Sequence, residues 1–308
     1  MKVLESIKPV IEDQKCVHID KIKIKEFAAK FDPNKMDHWL TVSPFDIDQL
    51  HEKERFAFLF ILDAISFCYW GYPKWQIQYE GGTYDGAQAM MASLGRAIEQ
   101  GIPLLDSDYI ANMQREDLEE ILEGNVEIPL LDERLSILHE VGAVITREFK
   151  GDCRYVLKKA KGNALDIVDV LMTYFPSFED SAAYRGHHVF FNKRAQLLSS
   201  DLSHSLYGLI DADKLTACAD YKLPQVLRRY GILHYASSLE NIVRNRRAIP
   251  TGSEAEVEIR AHTIHAVELI KEEIPRITST QINDYLWLEG QVKFPDDEPY
   301  HLTRTTAY

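Results

Sequence analysis

Apolar residues recur at three- and four-residue spacing along most of the chain, the period of helices that bury one face. Arg115–Leu122 places its acidic residues early and stops at Gly124-Asn125. Asp132–Val141 starts on a capping aspartate and is expected to end at Gly142. Asn163–Tyr174 carries an apolar stripe and stops before Pro176. Ser253–Glu273 reads as a long helix opened by Ser253, with Glu256 four residues ahead of Arg260. Arg55–Trp70 is different: it is apolar around its whole circumference, which predicts a central helix. Two stretches read as extended, Trp75–Tyr79 and His188–Asn192, and Phe294–Tyr308, rich in Pro and Asp, as irregular. No repeat or linker-like break interrupts the chain. The pattern predicts a mostly α fold with a few short strands. It is expected to be one domain over residues 1–308, with residues 1–50 as a helical portion packed on it.

Charge narrows the function classes. Lys and Arg total 35 against 48 Asp and Glu, a formal net charge of −13 over 308 residues. That excess argues against a surface built to grip nucleic-acid phosphates, while leaving room for a small anion held by a few local cations. Cys16, Cys68, Cys153 and Cys218 are scattered without a C-x-x-C pair, so a zinc knuckle, a thioredoxin motif and a disulfide scaffold lack support. Lys8 and Pro9 interrupt any signal-peptide core at the N-terminus. The longest apolar run, Phe56 to Trp70, is too short to span a bilayer and contains Asp63. The simplest location is the cytosol, with no membrane partner.

The common phosphate-loop, dinucleotide, esterase and zincin motifs are all missing. His262 and His265 can share a helix face, but no carboxylate or cysteine stands at metal-ligand spacing, so a surface or core pair is the simpler reading. Asp63, inside the apolar run, is either a structural carboxylate bonded to an arginine or a helix end, or the floor of a pocket. Phe67, Tyr69 and Trp70 either stack on a planar ring or simply fill core. In Lys193–Leu209, Arg194 and Asp201 are seven residues apart, hence nearly on one helix face and about 10 Å apart along the axis. In Asp220–Ile232, Asp220 is a helix cap or a ligand carboxylate, and Leu-Pro-x-Val faintly suggests the helix-hairpin-helix of DNA glycosylases.

Taken in order, further blocks resemble one family, the queuosine salvage proteins, which are queuosine 5′-phosphate N-glycosylases. The blocks include Leu62-Asp63-Ala64…Phe67-Cys68-Tyr69-Trp70, Ile128-Pro129-Leu130…Glu133-Arg134, and Phe175-Pro176-Ser177-Phe178…Asp180. Lys193-Arg194-Ala195-Gln196…Asp201, Ala219-Asp220-Tyr221…Pro224-Gln225-Val226-Leu227 and Glu256-Val257-Glu258-Ile259-Arg260 follow. Asp284…Leu286-Trp287 and Thr303-Arg304-Thr305…Tyr308 close the series. Ser66 stands where the pattern has Asn and Lys222 where it has Arg, and Leu302 and Ala307 depart from its usual tail.

The resemblance implies a helical fold similar to DNA glycosylases. It also implies hydrolysis of queuosine 5′-monophosphate to queuine and ribose 5-phosphate, with the free nucleotide rather than tRNA as substrate and no metal or redox cofactor. Breaking the N-glycosidic bond passes through an oxocarbenium-like sugar that a carboxylate can stabilise. Asp201 is the first candidate for that role and Asp220 the second. Asp63, Asp220, Glu256 and Asp284 are candidates to pair with the base and its amine arm. Phe67, Trp70, Tyr221 and Trp287 are candidates to sandwich the ring, and Lys193, Arg194, His301 and Arg304 to hold the phosphate. The competing readings are a DNA or RNA base glycosylase, which needs a basic face, and a non-catalytic queuine- or nucleoside-binding protein.

Overall fold

The computed structural model describes residues 2–32, 36–205 and 208–308. It is mostly helical with three small antiparallel strand pairs among the described residues. The chain opens with α1 (Lys2–Glu12), β1 (Val17–Ile19) and α2 (Lys21–Lys30). Asp20 starts α2 by accepting the N–H groups of Ile22 and Lys23 at 2.8 and 3.2 Å. A 3₁₀ turn at Trp39–Val42 leads to α3 (Glu52–Ala64), buried from Phe56 to Ala64 as its unbroken apolar run requires.

That helix is shorter than its apolar run. It stops at Ala64, and residues 65–70 leave it as an irregular segment in which Cys68 adopts a left-handed φ of 44°. The apolar stretch is therefore half helix and half cavity wall. Next come β2 (Gln76–Tyr79) and β3 (Gly82–Asp85), a hairpin leading into α4 (Gly86–Glu99). Then follow α5 (Ser107–Asn112), α6 (Arg115–Ile121), α7 (Leu131–Phe149), α8 (Arg154–Lys159) and α9 (Ala164–Tyr174).

Helix α7 corrects the expected 132–141. Its N-cap is Leu130 in a left-handed conformation, Asp132 sits in the first turn, and the helix runs straight through Gly142. A Cβ on Gly142 would lie 2.5 Å from the backbone N of Ala111 and O of Ser107, so the glycine marks the close crossing of α5 rather than a helix end. After α9, β4 (Ser181–Tyr184) pairs with β5 (His187–Phe190) and delivers the chain to α10 (Lys193–Ser205), which packs on α3 and α9.

The remaining elements are α11 (Lys222–Arg229), β6 (Leu233–Tyr235), α12 (Ser237–Arg244), α13 (Glu254–Glu273) and α14 (Ser279–Glu289). Strand β6 pairs with β1, and α13 packs against α1, α2 and α14, so the first helices sit on the C-terminal half. Glu258 of α13 fixes that junction: its Oε2 accepts the N–H groups of Lys15, Cys16 and Val17 at 3.0, 2.6 and 3.1 Å. No described helix is long and apolar enough to cross a membrane.

Candidate active site

A cavity of about 190 Å³ opens where the segment after α3, the first turns of α10 and α11, and the end of α14 meet. Its aromatic walls are Trp39, Phe67, Tyr69, Tyr221, Trp287 and Tyr308. Phe67 is held from behind. The buried guanidinium of Arg134 lies 4.2 Å from its ring centre and also donates to its carbonyl, and that of Arg194 lies 5.3 Å away. Trp39 and Trp287 meet edge to face at 5.4 Å. Tyr308 is tied to the post-helix segment, its backbone oxygen accepting the Cys68 N–H at 2.9 Å. The shape suits a flat ring between aromatic faces.

Two charged groups stand deep in this space. Lys193 reaches it from the start of α10, its ammonium donating to the Ser66 carbonyl at 3.2 Å. Asp220 lines it from the N-terminus of α11, where Oδ1 accepts the N–H groups of Lys222 and Leu223 at 2.7 and 3.0 Å. Cap and cavity carboxylate are thus the same residue. Burial pushes the Asp220 carboxyl up, while Lys193 and the two helix N–H groups pull it back toward the ionised form.

At the rim stand Lys74, Lys222 and Lys293. The Lys74 ammonium pairs with Asp85, and that of Lys222 donates to the Gly290 carbonyl at 3.0 Å. Burial, with Lys74 close by, brings Lys222 down to about 8, against the opposing pull of Asp220.

The structure gathers Phe67, Lys193, Asp220, Tyr221 and Trp287 in one cavity. Other candidates fall elsewhere. Asp201 is fully buried behind the wall, its Oδ1 accepting the indole N–H of Trp39 at 2.8 Å. Asp63 and Asp284 lie beside it in the interior, and neither lines the cavity. Burial pushes Asp63 up to about 8, with Lys193 opposing, and Asp284 up to about 7, with Asn283 opposing. It raises Asp201 too, reinforced by the neighbouring Asp63.

Trp70 points to the C-terminal segment and donates to the Thr303 carbonyl at 3.2 Å. Arg194 spends its guanidinium on the carbonyls of Ala64 and Ser177. Glu256 accepts the Gly252 N–H at 3.2 Å and stands 3.6 Å from Arg260, which itself binds Asp180 through both nitrogens at 2.7 and 2.6 Å. His301 is buried against the Tyr308 hydroxyl at 3.2 Å, and burial lowers it to about 3, so it is neutral. Arg304 is exposed and does not line the cavity. His262, considered earlier for metal, places one ring nitrogen 2.8 Å from the Glu258 carbonyl and the other 2.5 Å from Gln14.

Trp39, Lys74, Asn283 and Lys293 line the cavity without having been singled out in the sequence, and Lys222 and Tyr308 were noted there without a site role. The Lys74–Asp85 pair depends on the hairpin register that sets Gln76 opposite Asp85, which composition does not reveal.

A family model described as "Queuosine salvage protein" matches residues 47–308. Three relatives carry the name queuosine 5′-phosphate N-glycosylase/hydrolase. The one from Sphaerobacter thermophilus is 41% identical, with 99% of this chain and 97% of that protein covered. The Dictyostelium discoideum protein is 29% identical over 88% of this chain and 85% of its own. The Mus musculus protein is 28% identical over 99% and 98%.

Proposed function

Because the chain belongs to the queuosine salvage protein family, we propose that it hydrolyses the N-glycosidic bond of queuosine 5′-phosphate, releasing queuine and ribose 5-phosphate. The observation that carries this reading is Asp220: a buried carboxylate on an aromatic-walled cavity, with a lysine beside it and more lysines at the rim.

The base lies between the aromatic walls, and the sugar turns its C1′ toward Asp220. As the bond from C1′ to the base breaks, its electron pair leaves with the base, and positive charge grows on the sugar. The Asp220 carboxylate stabilises that charge and takes a proton from the water whose oxygen adds to C1′. Water is thereby divided between C1′ and the base: the proton that Asp220 removes from it is balanced by one that the base takes up as it leaves. A 7-deazaguanine offers no nitrogen at position 7 to receive it, so the charge on the leaving base is met at its other polar atoms. Lys193 favours the ionised form of Asp220 and leaves ammonium N–H groups free beyond its bond to Ser66. At the rim, Lys222, Lys74 and Lys293 supply the cations for the 5′-phosphate.

Asp201 is set aside for the carbon-facing role because Trp39 stands between it and the cavity. The four cysteines are unpaired, which suits the cytosol. Incubation with queuosine 5′-phosphate is expected to yield free queuine. Asp220→Asn, which can still cap α11, is expected to lose about 10²- to 10⁴-fold in kcat. No queuine from the wild-type protein overturns the function, and full activity in Asp220→Asn overturns the role of Asp220.

A further inference from the structure

Behind the cavity lies a cluster that the reaction above leaves unused. Asp63 from the last turn of α3 faces Asp201 of α10, and Asp201 and Asp284 of α14 converge on His38, just ahead of the Trp39 turn. The Nε2 of His38 is buried without a hydrogen-bond partner among the described residues. His38 Nε2 is 3.5 Å from Asp201 Oδ1 and 3.6 Å from Asp284 Oδ2. Its Nδ1 accepts the Leu40 N–H at 3.3 Å, so the neutral ring carries its proton on Nε2, facing the two carboxyls. Both oxygens of Asp63 and Oδ2 of Asp201 are buried without a donor among the described residues. The two carboxyls face each other, and a proton held by one supplies the missing donor to the other. From the cluster three bonds or contacts run to the cavity wall. The Trp39 indole binds Asp201, Asn283 donates to Asp284 at 3.0 Å, and the Lys193 ammonium is the near cation.

We propose that Asp63, Asp201, Asp284 and His38 form a proton-holding network that positions Trp39, Lys193 and Asn283 for the substrate, so that deprotonation of the network disables the site at alkaline pH. This rests on the nucleotide-hydrolase reading and adds positioning residues to it.

Every packed element contributes to the balance. From α3 comes Asp63, and from α10 come Lys193, Arg194, Asp201 and His204. From α14 come Asp284 and Asn283, and His38 and Trp39 complete the set. His204 stacks on His38 at 3.7 Å with planes 4° apart, and Asp48 faces His204. Burial lowers both imidazoles, His38 to about 3, so His38 brings no positive charge. Arg194 is committed to two carbonyls. Lys193, already shared with Asp220, is the near cation for Asp63 and Asp201, and Asp284 adds a further carboxyl beside Asp201, so the three cannot all ionise in a dry interior. Their folded-state values lie above the unfolded ones. Their contribution to stability is thus complete below the unfolded carboxylate range near about 4 and is lost as pH rises through about 7 to 8.

The test uses Asp63→Asn and Asp201→Asn, which keep shape but cannot ionise. Tm and tryptophan fluorescence are followed from pH 5 to 10 without substrate, and kcat/KM with queuosine 5′-phosphate over the same range. The parent and all variants carry Lys222→Arg, so that the rim lysine does not titrate in the window. The expected result is a parent Tm that declines from pH 5 to about 8 and then levels off, and a parent activity that falls above pH 7. In the variants that alkaline limb is displaced upward by about one pH unit or more, or removed. Should either variant fold poorly, Asp284→Asn gives the same readout from the third carboxyl. Superimposable pH profiles of parent and variants overturn the network. Failure of the wild-type protein to release queuine counts against the hydrolase reading, while the Tm and fluorescence curves still decide the network.

Discussion

On the proposed reading, Lys222 is where one side chain tunes recognition of a charged substrate. It sits half-buried at the rim with Lys74 close by, and its ammonium loses its proton near pH 8. Its positive charge is present below that pH and lost above it, and the share of phosphate binding proposed for it is expected to follow. Lys222→Met is expected to raise KM for queuosine 5′-phosphate by about 10- to 100-fold, the worth of one charge-assisted hydrogen bond. It is expected to leave KM for unphosphorylated queuosine nearly unchanged. Steady-state kinetics on both substrates checks this, and equal losses on the two would remove the lysine from phosphate recognition. At this scale the sequence shows which residue types are present but not which way they face. Phe67 and Trp70 share one apolar run, yet the helix ends at Ala64, and only Phe67 reaches the cavity. Asp201 and Asp220 are both carboxylates in polar blocks of the same resemblance. Only the packing of Trp39 against α10, far away in sequence, hides one and leaves the other on the cavity.

At the scale of elements, helical spacing located α3, α6, α7, α9 and α13, because their buried faces repeat with the period of the backbone. It failed where a residue answers to a neighbouring element. Gly142 reads as a stop, but α5 crosses there within contact of its bare Cα. Gly142→Ala sets a methyl 2.5 Å from backbone atoms that cannot swing aside and is expected to cost about 1–3 kcal/mol. Urea unfolding measures it, and an unchanged midpoint would mean that the crossing is looser than described. The junction of the first strand with α13 depends similarly on Glu258. Its carboxylate satisfies three consecutive backbone N–H groups and the Tyr184 hydroxyl at 3.0 Å. Glu258→Ala leaves the buried Val17 N–H and the part-buried Lys15 and Cys16 N–H groups without this acceptor and is expected to cost about 3 kcal/mol, with early loss of hydrogen-exchange protection over residues 15–19. No local pattern marks Glu258 for this, because its partners lie about 240 residues away.

For the whole molecule, the net charge of −13 and the lysines at the rim belong together. Much of the arginine complement is neutralised in place. Arg115 meets Glu119, Glu127 and Asp132; Arg185 meets Asp13 and Glu254; and Arg244 meets Glu240 and Glu298. A duplex needs a continuous track of free cations to displace its counterions, whereas one phosphate needs only a recessed group of them. The fold offers such a group at the cavity mouth, set in a surface whose overall sign repels a polyanion. Intact queuosine-bearing tRNA is therefore expected neither to release queuine with this protein nor to compete with queuosine 5′-phosphate, even in low salt where attraction is strongest. Assays of queuine release and of inhibition by the tRNA, repeated over a range of ionic strength, check this. Release from tRNA, or inhibition that fades steeply as salt is added, would show that the lysines at the rim belong to a longer nucleic-acid track. A phosphate site confined to the rim instead predicts modest salt sensitivity for the free nucleotide alone.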